Sequence, residues 1–414
     1  MKIYEILIFI AYFISFFISM FYLLTFIYNN KRFKTIKSSK DKIYTVSVLI
    51  PAYNKEKELA KTIRSVLNQT YPKDKIEIIV INDGSIDSTE KIARSFKQVN
   101  VITKKNGGKA KALNDGIKKA KGELIACLDA DTFMTPDLIR KSVTYFYDDD
   151  VAVAVPTLKP YKPRNILEKI QVVEYTLSSF TRKILSFKNS SSAAPACSFF
   201  RKNIFEKYGG FDEDNITEDF EMALKIQSKD HKLVHLTDAI AYTEVPRNFK
   251  SLFRQRLRWC YGNLYNLRKY KKIFGTKYGD FGVVFLPMML ISILLSLSIL
   301  FFGIIDIIKN IIHRIVLAYK INFSFDFNLF NMDRILFEIT NPKTFLAIII
   351  FIMSIIIVYL AKIYTRQSRY QENLNGTNIS IFMYLIYAFV YSLILVNIWI
   401  IAIFYMIFNK KPSW

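Results

Sequence analysis

Long apolar runs bracket a middle section in which short apolar runs and charged stretches alternate. Four runs are long enough to cross about 30 Å of hydrocarbon, which takes ~20 helical residues. They are Ile6–Tyr28, Phe281–Ile305, Thr344–Ala361 and a stretch within Asn378–Phe408. The first is preceded by one basic residue, Lys2, and ends in Phe26, Ile27 and Tyr28 rather than in small residues. That predicts an uncleaved anchor and not a signal peptide. Between the second and third runs, Ile308–Ile339 mixes apolar and charged residues, which predicts short interfacial helices.

From Tyr44 to about Val245 the texture is that of a soluble domain. Val46–Ile50, Ile76–Ile81, Val101–Thr103 and Leu124–Leu128 read as strands. Glu56–Leu67, Ser88–Phe96 and Ala110–Ala120 read as the helices between them. Strands alternating with helices predict βαβ units on a parallel sheet, whose ligands bind beyond the carboxyl ends of the strands. The predicted organisation is a transmembrane helix in 1–30, a catalytic-type α/β domain over 44–248 and an amphipathic interfacial region over 249–280. A membrane region over 281–414 follows, with about three transmembrane helices.

The formal net charge of +23 needs a partner. Nucleic acid is one class with that footprint, but beside so much apolar sequence the charge points to anionic headgroups and to a phosphorylated ligand. Lys31, Arg32, Lys34, Lys37, Lys40 and Lys42 flank the first run, and Lys362, Arg366 and Arg369 flank the third. Both clusters place the α/β domain on the cytosolic side of the cell membrane, with Lys410 and Lys411 pulling the other way. Cys127, Cys197 and Cys260 lie far apart in no metal spacing and read as small buried hydrophobes.

Polar residues gather at three predicted strand ends: Pro51-Ala52-Tyr53-Asn54, Asn82-Asp83-Gly84-Ser85 and Asp129-Ala130-Asp131. In an extended chain, Asp129 and Asp131 point the same way. Such a pair suits a hard cation that takes its other ligands from phosphate, though an exposed acidic turn would look alike. Asp83 can accept from a base N–H, and Asp-Gly is also a plain turn signal. Asn106-Gly107-Gly108-Lys109 opens a helix with backbone N–H groups and a lysine suited to an anion, without the spacing of a Walker loop. Thr217-Glu218-Asp219 opens another helix. Thr217 and Asp219 are candidate caps, and Asp219 is also a candidate general base. On the amphipathic stretch, Arg258 can grip a diphosphate and Trp259 offers a face for a sugar ring, although Arg and Trp are both common at membrane edges.

In this order, Ile50-Pro51-Ala52-Tyr53-Asn54, Ile81-Asn82-Asp83-Gly84-Ser85, Asp129-Ala130-Asp131, Thr217-Glu218-Asp219 and Gln255-x-x-Arg258-Trp259 resemble the processive family 2 glycosyltransferases. That group includes cellulose, hyaluronan and poly-N-acetylglucosamine synthases, and the last are the nearest in these motifs. The resemblance implies an α/β GT-A (Rossmann-like) domain inserted between transmembrane helices. It implies an inverting enzyme that uses a UDP-sugar, with UDP-N-acetylglucosamine expected, and Mg²⁺ or Mn²⁺. By the same resemblance Ala52, Tyr53, Asp83, Lys109, Asp129 and Arg258 would bind the nucleotide sugar, and Asp129 and Asp131 the metal. Asp219 would be the base, and Trp259, Glu218 and Gln255 would face the acceptor. The implied acceptor is a growing β-linked polysaccharide; the alternative is a membrane lipid that receives one or a few sugars. Membrane lipids and a small membrane accessory subunit are the other implied partners, and nucleic acid is not one. Two departures stand out: Asn82 where many relatives have Asp, and no glycine in Pro195-Ala196-Cys197-Ser198-Phe199-Phe200-Arg201.

Overall fold

The computed structural model describes residues 3–34, 42–190, 196–320, 342–364 and 379–412. Lys37, Lys40, Arg366, Arg369 and Pro195 lie outside them. The chain falls into two compact units. Most of α1 (Ile3–Lys34), α10 (Leu286–Lys320) and α11 (Pro342–Tyr364) make up one. The other holds the sheet, its helices and the last apolar helix.

The sheet starts from β1 (Val46–Ala52), which is buried almost throughout. Val46, Val48 and Ile50 join one core with Leu59, Ile63 and Val66 of α2 (Leu59–Leu67). Leu49 joins the opposite core with Ala110, Ala112 and Leu113 of α4 (Lys109–Lys119). The period of two thus feeds both faces, as expected of a strand covered by helices on each side. β2 (Ile76–Asn82) and β4 (Leu124–Cys127) pair with β1 in parallel, and β3 (Val99–Thr103) pairs with β2, on whose way the chain forms α3 (Thr89–Arg94). All of these match the predicted runs to within a few residues.

The second half departs from an all-parallel sheet. β7 (Ser198–Arg201) pairs antiparallel with β4 and with β6 (Val151–Pro160). β8 (Lys232–Thr243) is parallel to β6, and β5 (Thr132–Met134) pairs antiparallel with its end. The order is β3-β2-β1-β4-β7-β6-β8-β5. A mixed sheet replaces the expected parallel one because β7 fills the place beside β4 from a distant part of the chain. α5 (Leu138–Val143), α6 (Ile166–Ser186), α7 (Lys202–Tyr208) and α8 (Glu218–Gln227) complete the domain. A full capping box starts α6, with Asn165 and Glu168 each accepting from the other's backbone N–H.

α9 (Phe249–Lys269) begins at Asn248, whose side chain accepts from Ser251 N. It is built into the sheet's own unit, packing Leu257, Cys260 and Tyr261 against Ile398 and Ala402 of the last apolar helix. That helix runs as α12 (Ile381–Ile386), a π-helical turn (Tyr387–Tyr391) and α13 (Ser392–Ile407). Among the described residues, four helical segments, Glu5–Lys31, Phe281–Leu317, Thr344–Tyr364 and Ile381–Ile407, are long and apolar enough to cross a membrane. They leave large side chains such as Phe13, Phe301, Phe351 and Phe389 exposed, as suits a lipid solvent. The interfacial helices expected in Ile308–Ile339 are not separate where the chain is described: α10 continues unbroken to Lys320. Residues 321–339 lie outside the described part.

Candidate active site

β1, β2 and β4 are parallel neighbours, so their carboxyl ends share one edge of the sheet. β2 and β4 flank β1 and thus lie about 10 Å apart. Asp83 follows β2, and its backbone N–H donates to Ala52 O at 2.9 Å. Gly84 takes φ +74°, which lets the chain turn back without side-chain strain. The nearly buried Asp83 carboxylate accepts from Lys104 Nζ at 3.0 Å, Gly107 N at 2.9 Å and Gly108 N at 2.8 Å. A carboxylate offers about four acceptor sites, so one direction is left for a ligand donor. Ala52 is buried, whereas Tyr53 stands half-exposed at the mouth of the edge.

Asp129 and Asp131 lie in a turn rather than in extended chain, closed by Thr132 N donating to Asp129 O at 3.0 Å. The alternation expected of them therefore does not apply. Lysines gather them instead. Lys55 Nζ lies 2.6 Å from Asp131 Oδ2, and Lys109 Nζ lies 2.7 Å from Asp129 Oδ1. Burial works against the Lys55 charge, yet Asp131 first, and Asp129 with it, hold its ammonium above the usual lysine range. Lys109 also reaches Glu218 Oε1 at 2.9 Å. Burial opposes its charge too, but Asp129, Glu218 and Asp219 outweigh that and hold it well above the ordinary value. Lys109, expected at a phosphate, thus ties the β4 turn to the start of α8. Lys111 is exposed.

At that start, Thr217 holds the N-cap position but gives no side-chain cap. Its hydroxyl belongs to a buried cluster instead. Asn266 of α9 donates to Thr217 Oγ1 at 3.0 Å, and Asn215 donates to Asn266 Oδ1 at 2.6 Å. Lys269 adds an ion pair to Asp212 at 2.7 Å, and Tyr270 donates to Glu221. Asp219 Oδ1 accepts from Phe220 N at 2.8 Å. Burial raises the Asp219 carboxyl to about 6, with the adjacent Glu218 adding to the rise, while Lys109 and Arg258 pull it down. Arg258 therefore lies within electrostatic reach of Asp219, which brings α9 to the same cluster.

Along α9 the site depends on a residue that the sequence reading passed over. Arg256, fully buried, lies at 2.5 Å from Glu174 and donates to Tyr391 Oη at 3.1 Å, with Gln171 and Gln255 as further acceptors. Its guanidinium sits 4.1 Å from the centre of the Trp259 ring. Gln255 is thus engaged with Arg256. Arg256 stands inside the Gln255–Trp259 motif and Lys55 directly after Asn54, so motif proximity was the available signal for both. Glu174 and Tyr391, distant in sequence, carried none. Within the segment lacking glycine, buried Cys197 takes φ +71° and donates its N–H to Cys127 O at 2.5 Å. The left-handed backbone that glycine favours is kept here by a cysteine. All three cysteines are buried and free.

Among the described residues, no group of three or more metal-binding side chains comes together. The donor set is Asp129 and Asp131, about a third and a quarter exposed, two hard carboxylates at the rim. That set fits a cation completing its shell with phosphate oxygens and water, and does not suit a metal needing an all-protein cage.

Residues 47–209 match the glycosyl transferase family 2 sequence family. The chain is 34% identical over 245 residues to a poly-beta-1,6-N-acetyl-D-glucosamine synthase of Staphylococcus epidermidis, covering 56% of this chain and 57% of that protein. It is 32% identical over 248 residues to a probable glycosyltransferase of Bacillus subtilis, covering 54% and 56%. The matched region thus spans little more than half the length of these curated relatives. In three dimensions the chain is similar to a mannosyltransferase of Pyrobaculum calidifontis solved with GDP-Man and Mn²⁺, at a TM-score of 0.56 and 18% identity. That match covers 88% of this chain and all of the other. With the α/β sheet, the strand-edge acids and the sequence match in agreement, the chain carries a family 2 glycosyltransferase domain of GT-A type, and in sequence it lies close to the poly-N-acetylglucosamine synthases.

Proposed function

We propose that this chain is an inverting membrane glycosyltransferase. It moves N-acetylglucosamine from UDP-N-acetylglucosamine to the end of a growing β-linked polysaccharide, on the cytosolic side of the cell membrane, with translocation of the product along the apolar helices. One observation carries the chemistry. Asp219, with its carboxyl raised to about 6, sits in one charged cluster with Glu218, Lys109, Asp129 and Arg258. A carboxylate with that affinity is still ionised at neutral pH yet a better base than an exposed aspartate.

In this reading Asp83 accepts from the donor's base through its remaining lone pair, and Tyr53 lies over the nucleotide. Asp129 and Asp131 hold a divalent cation, Mg²⁺ or Mn²⁺. When bound, the cation neutralises charge on the diphosphate. Lys109 and Arg258 provide positive charge for the same leaving group. The acceptor hydroxyl lies against Trp259, Glu218 and Gln255. Its oxygen attacks the anomeric carbon from the face opposite the diphosphate and passes its proton to Asp219, while the bond from that carbon to the phosphate oxygen breaks and releases UDP. Attack from the opposite face inverts the anomeric centre.

Support for the polysaccharide comes from the likeness to the Staphylococcus synthase and from the packing of α9 on the last apolar helix. Purified full-length protein in lipid nanodiscs, given a panel of UDP- and GDP-sugars, tests it. Release of UDP from UDP-N-acetylglucosamine with products of increasing length is expected. Transfer of single sugars to lipid would overturn the polymer, and no turnover with any donor would overturn the activity.

A further inference from the structure

Among the described residues, Arg256 is the largest of the fully buried side chains, on a helix otherwise rich in solvated charge. A buried guanidinium persists only where its charge and its donors are met. Here Glu174 of α6 takes two bonds, from Nε at 3.1 Å and Nη2 at 2.5 Å. Gln171 of the same helix accepts at 3.3 Å. From the other side, Tyr391 accepts from Nε at 3.1 Å and donates to Glu174 Oε2 at 2.9 Å. Tyr391 closes the π-helical turn of the last apolar helix and is itself buried. Such turns widen a helix locally and recur at functional places. The flat face of the guanidinium is left for Trp259, three residues on and so on the same face of α9, at 4.1 Å.

We propose that Arg256 is the positioning residue of Trp259, and that Tyr391 of the last apolar helix sets it. Glu174 and Tyr391 fix the plane of the guanidinium, and that plane fixes the indole against which the acceptor sugar stacks. The position of the membrane helix is thereby read at the acceptor end of the site and not at the donor end. Lysine at 256 would keep the charge but lose the plane and the forked contact with Glu174. This inference rests on the placement of Trp259 at the acceptor in the function proposed above.

The test uses full-length protein in nanodiscs, with UDP-N-acetylglucosamine as donor and a short N-acetylglucosamine oligosaccharide as acceptor. KM for each and the length of the product are measured. Arg256→Lys should raise the acceptor KM about tenfold and shorten the products, with donor KM changed less than about twofold. Tyr391→Phe, which removes one oxygen and keeps the packing, should move the acceptor KM the same way by about threefold. If Arg256→Lys does not fold, Tyr391→Phe decides alone. Equal changes in both KM values, or none, overturn the inference. Trp259→Ala is the control: if it raises acceptor KM while the other two do not, the positioning role fails and the acceptor placement survives. If Trp259→Ala leaves acceptor KM unchanged, the placement itself has failed.

Discussion

Gly262 of α9 lies flush against Thr217 at the foot of α8, so close that a β-carbon at 262 would overlap the Thr217 side chain. Two helices that meet in this way share their position, and α8 carries Asp219 while α9 carries Arg258. Gly262→Ala must push them apart. An overpacked contact of this kind costs about 1–3 kcal/mol, and a displaced base slows turnover by up to about a hundredfold. Thermal unfolding and UDP release measure the two; native values for both would mean that the helices yield freely.

Asn266 acts on the same seam through polar contacts. It is wholly buried, and it satisfies Asn215 and Thr217 together. Asn266→Ala takes one hydrogen-bond partner from each of two buried side chains that otherwise keep each other and Asp212, a loss of about 1–3 kcal/mol. Denaturant midpoints of the variant and the native protein check this. A change below about 0.5 kcal/mol would mean that water replaces the amide.

Asp219→Asn should lower turnover by about 10²- to 10⁴-fold, with donor binding largely kept. The pH profile gives a second reading. Asp219 must be a carboxylate to take a proton, so the rate falls as pH drops through about 6 and levels off above it. An acid limb near 4 would mean that burial and Glu218 do not raise this group; full activity of the asparagine variant would remove it from the chemistry.

Chelation should abolish turnover, and Mn²⁺ or Mg²⁺ should restore it. Asp131→Asn removes a ligand and also frees Lys55 from its 2.6 Å ion pair. The metal concentration for half-maximal rate should rise about tenfold or more. Full activity in chelator would mean that the reaction needs no bound cation.

Asp83→Ala unties Lys104, Gly107 and Gly108 at once. Hydrogen bonds to a charged group are worth about 1.5–3 kcal/mol, so the donor KM should rise about tenfold or more while the acceptor KM holds. Equilibrium binding of UDP checks the same point without turnover.

The first four strands were legible because each is a short apolar run, and those of β1, β2 and β4 end at Pro51, Asp83 and Asp129; β1, β2 and β3 are also neighbours both in sequence and in the sheet, whereas β4 returns to pair with β1. β7 was not. Ser198–Arg201 is short, and its partners, Leu124–Cys127 and Val153–Ala154, are set by long-range packing that no local pattern records. The acids of the site were legible by residue type and place at strand ends. Their pairing was not: Lys109 looks available for a phosphate until Asp129 and Glu218 are seen within 3 Å of it. Arg256 was hidden among charges that flank an apolar segment, since only its partners Glu174 and Tyr391 distinguish a buried rivet from a solvated arginine.

The two lysine bridges bear on what this edge of the sheet can accept. With Lys55 on Asp131, and Lys109 shared between Asp129 and Glu218, the acids at the rim already have partners. In the proposed reaction, loading the donor would trade partners: Lys55 and Lys109 would pair with phosphate, and Asp131 and Asp129 would hold the cation. A ligand that brings both signs together would then satisfy every charge it displaces there.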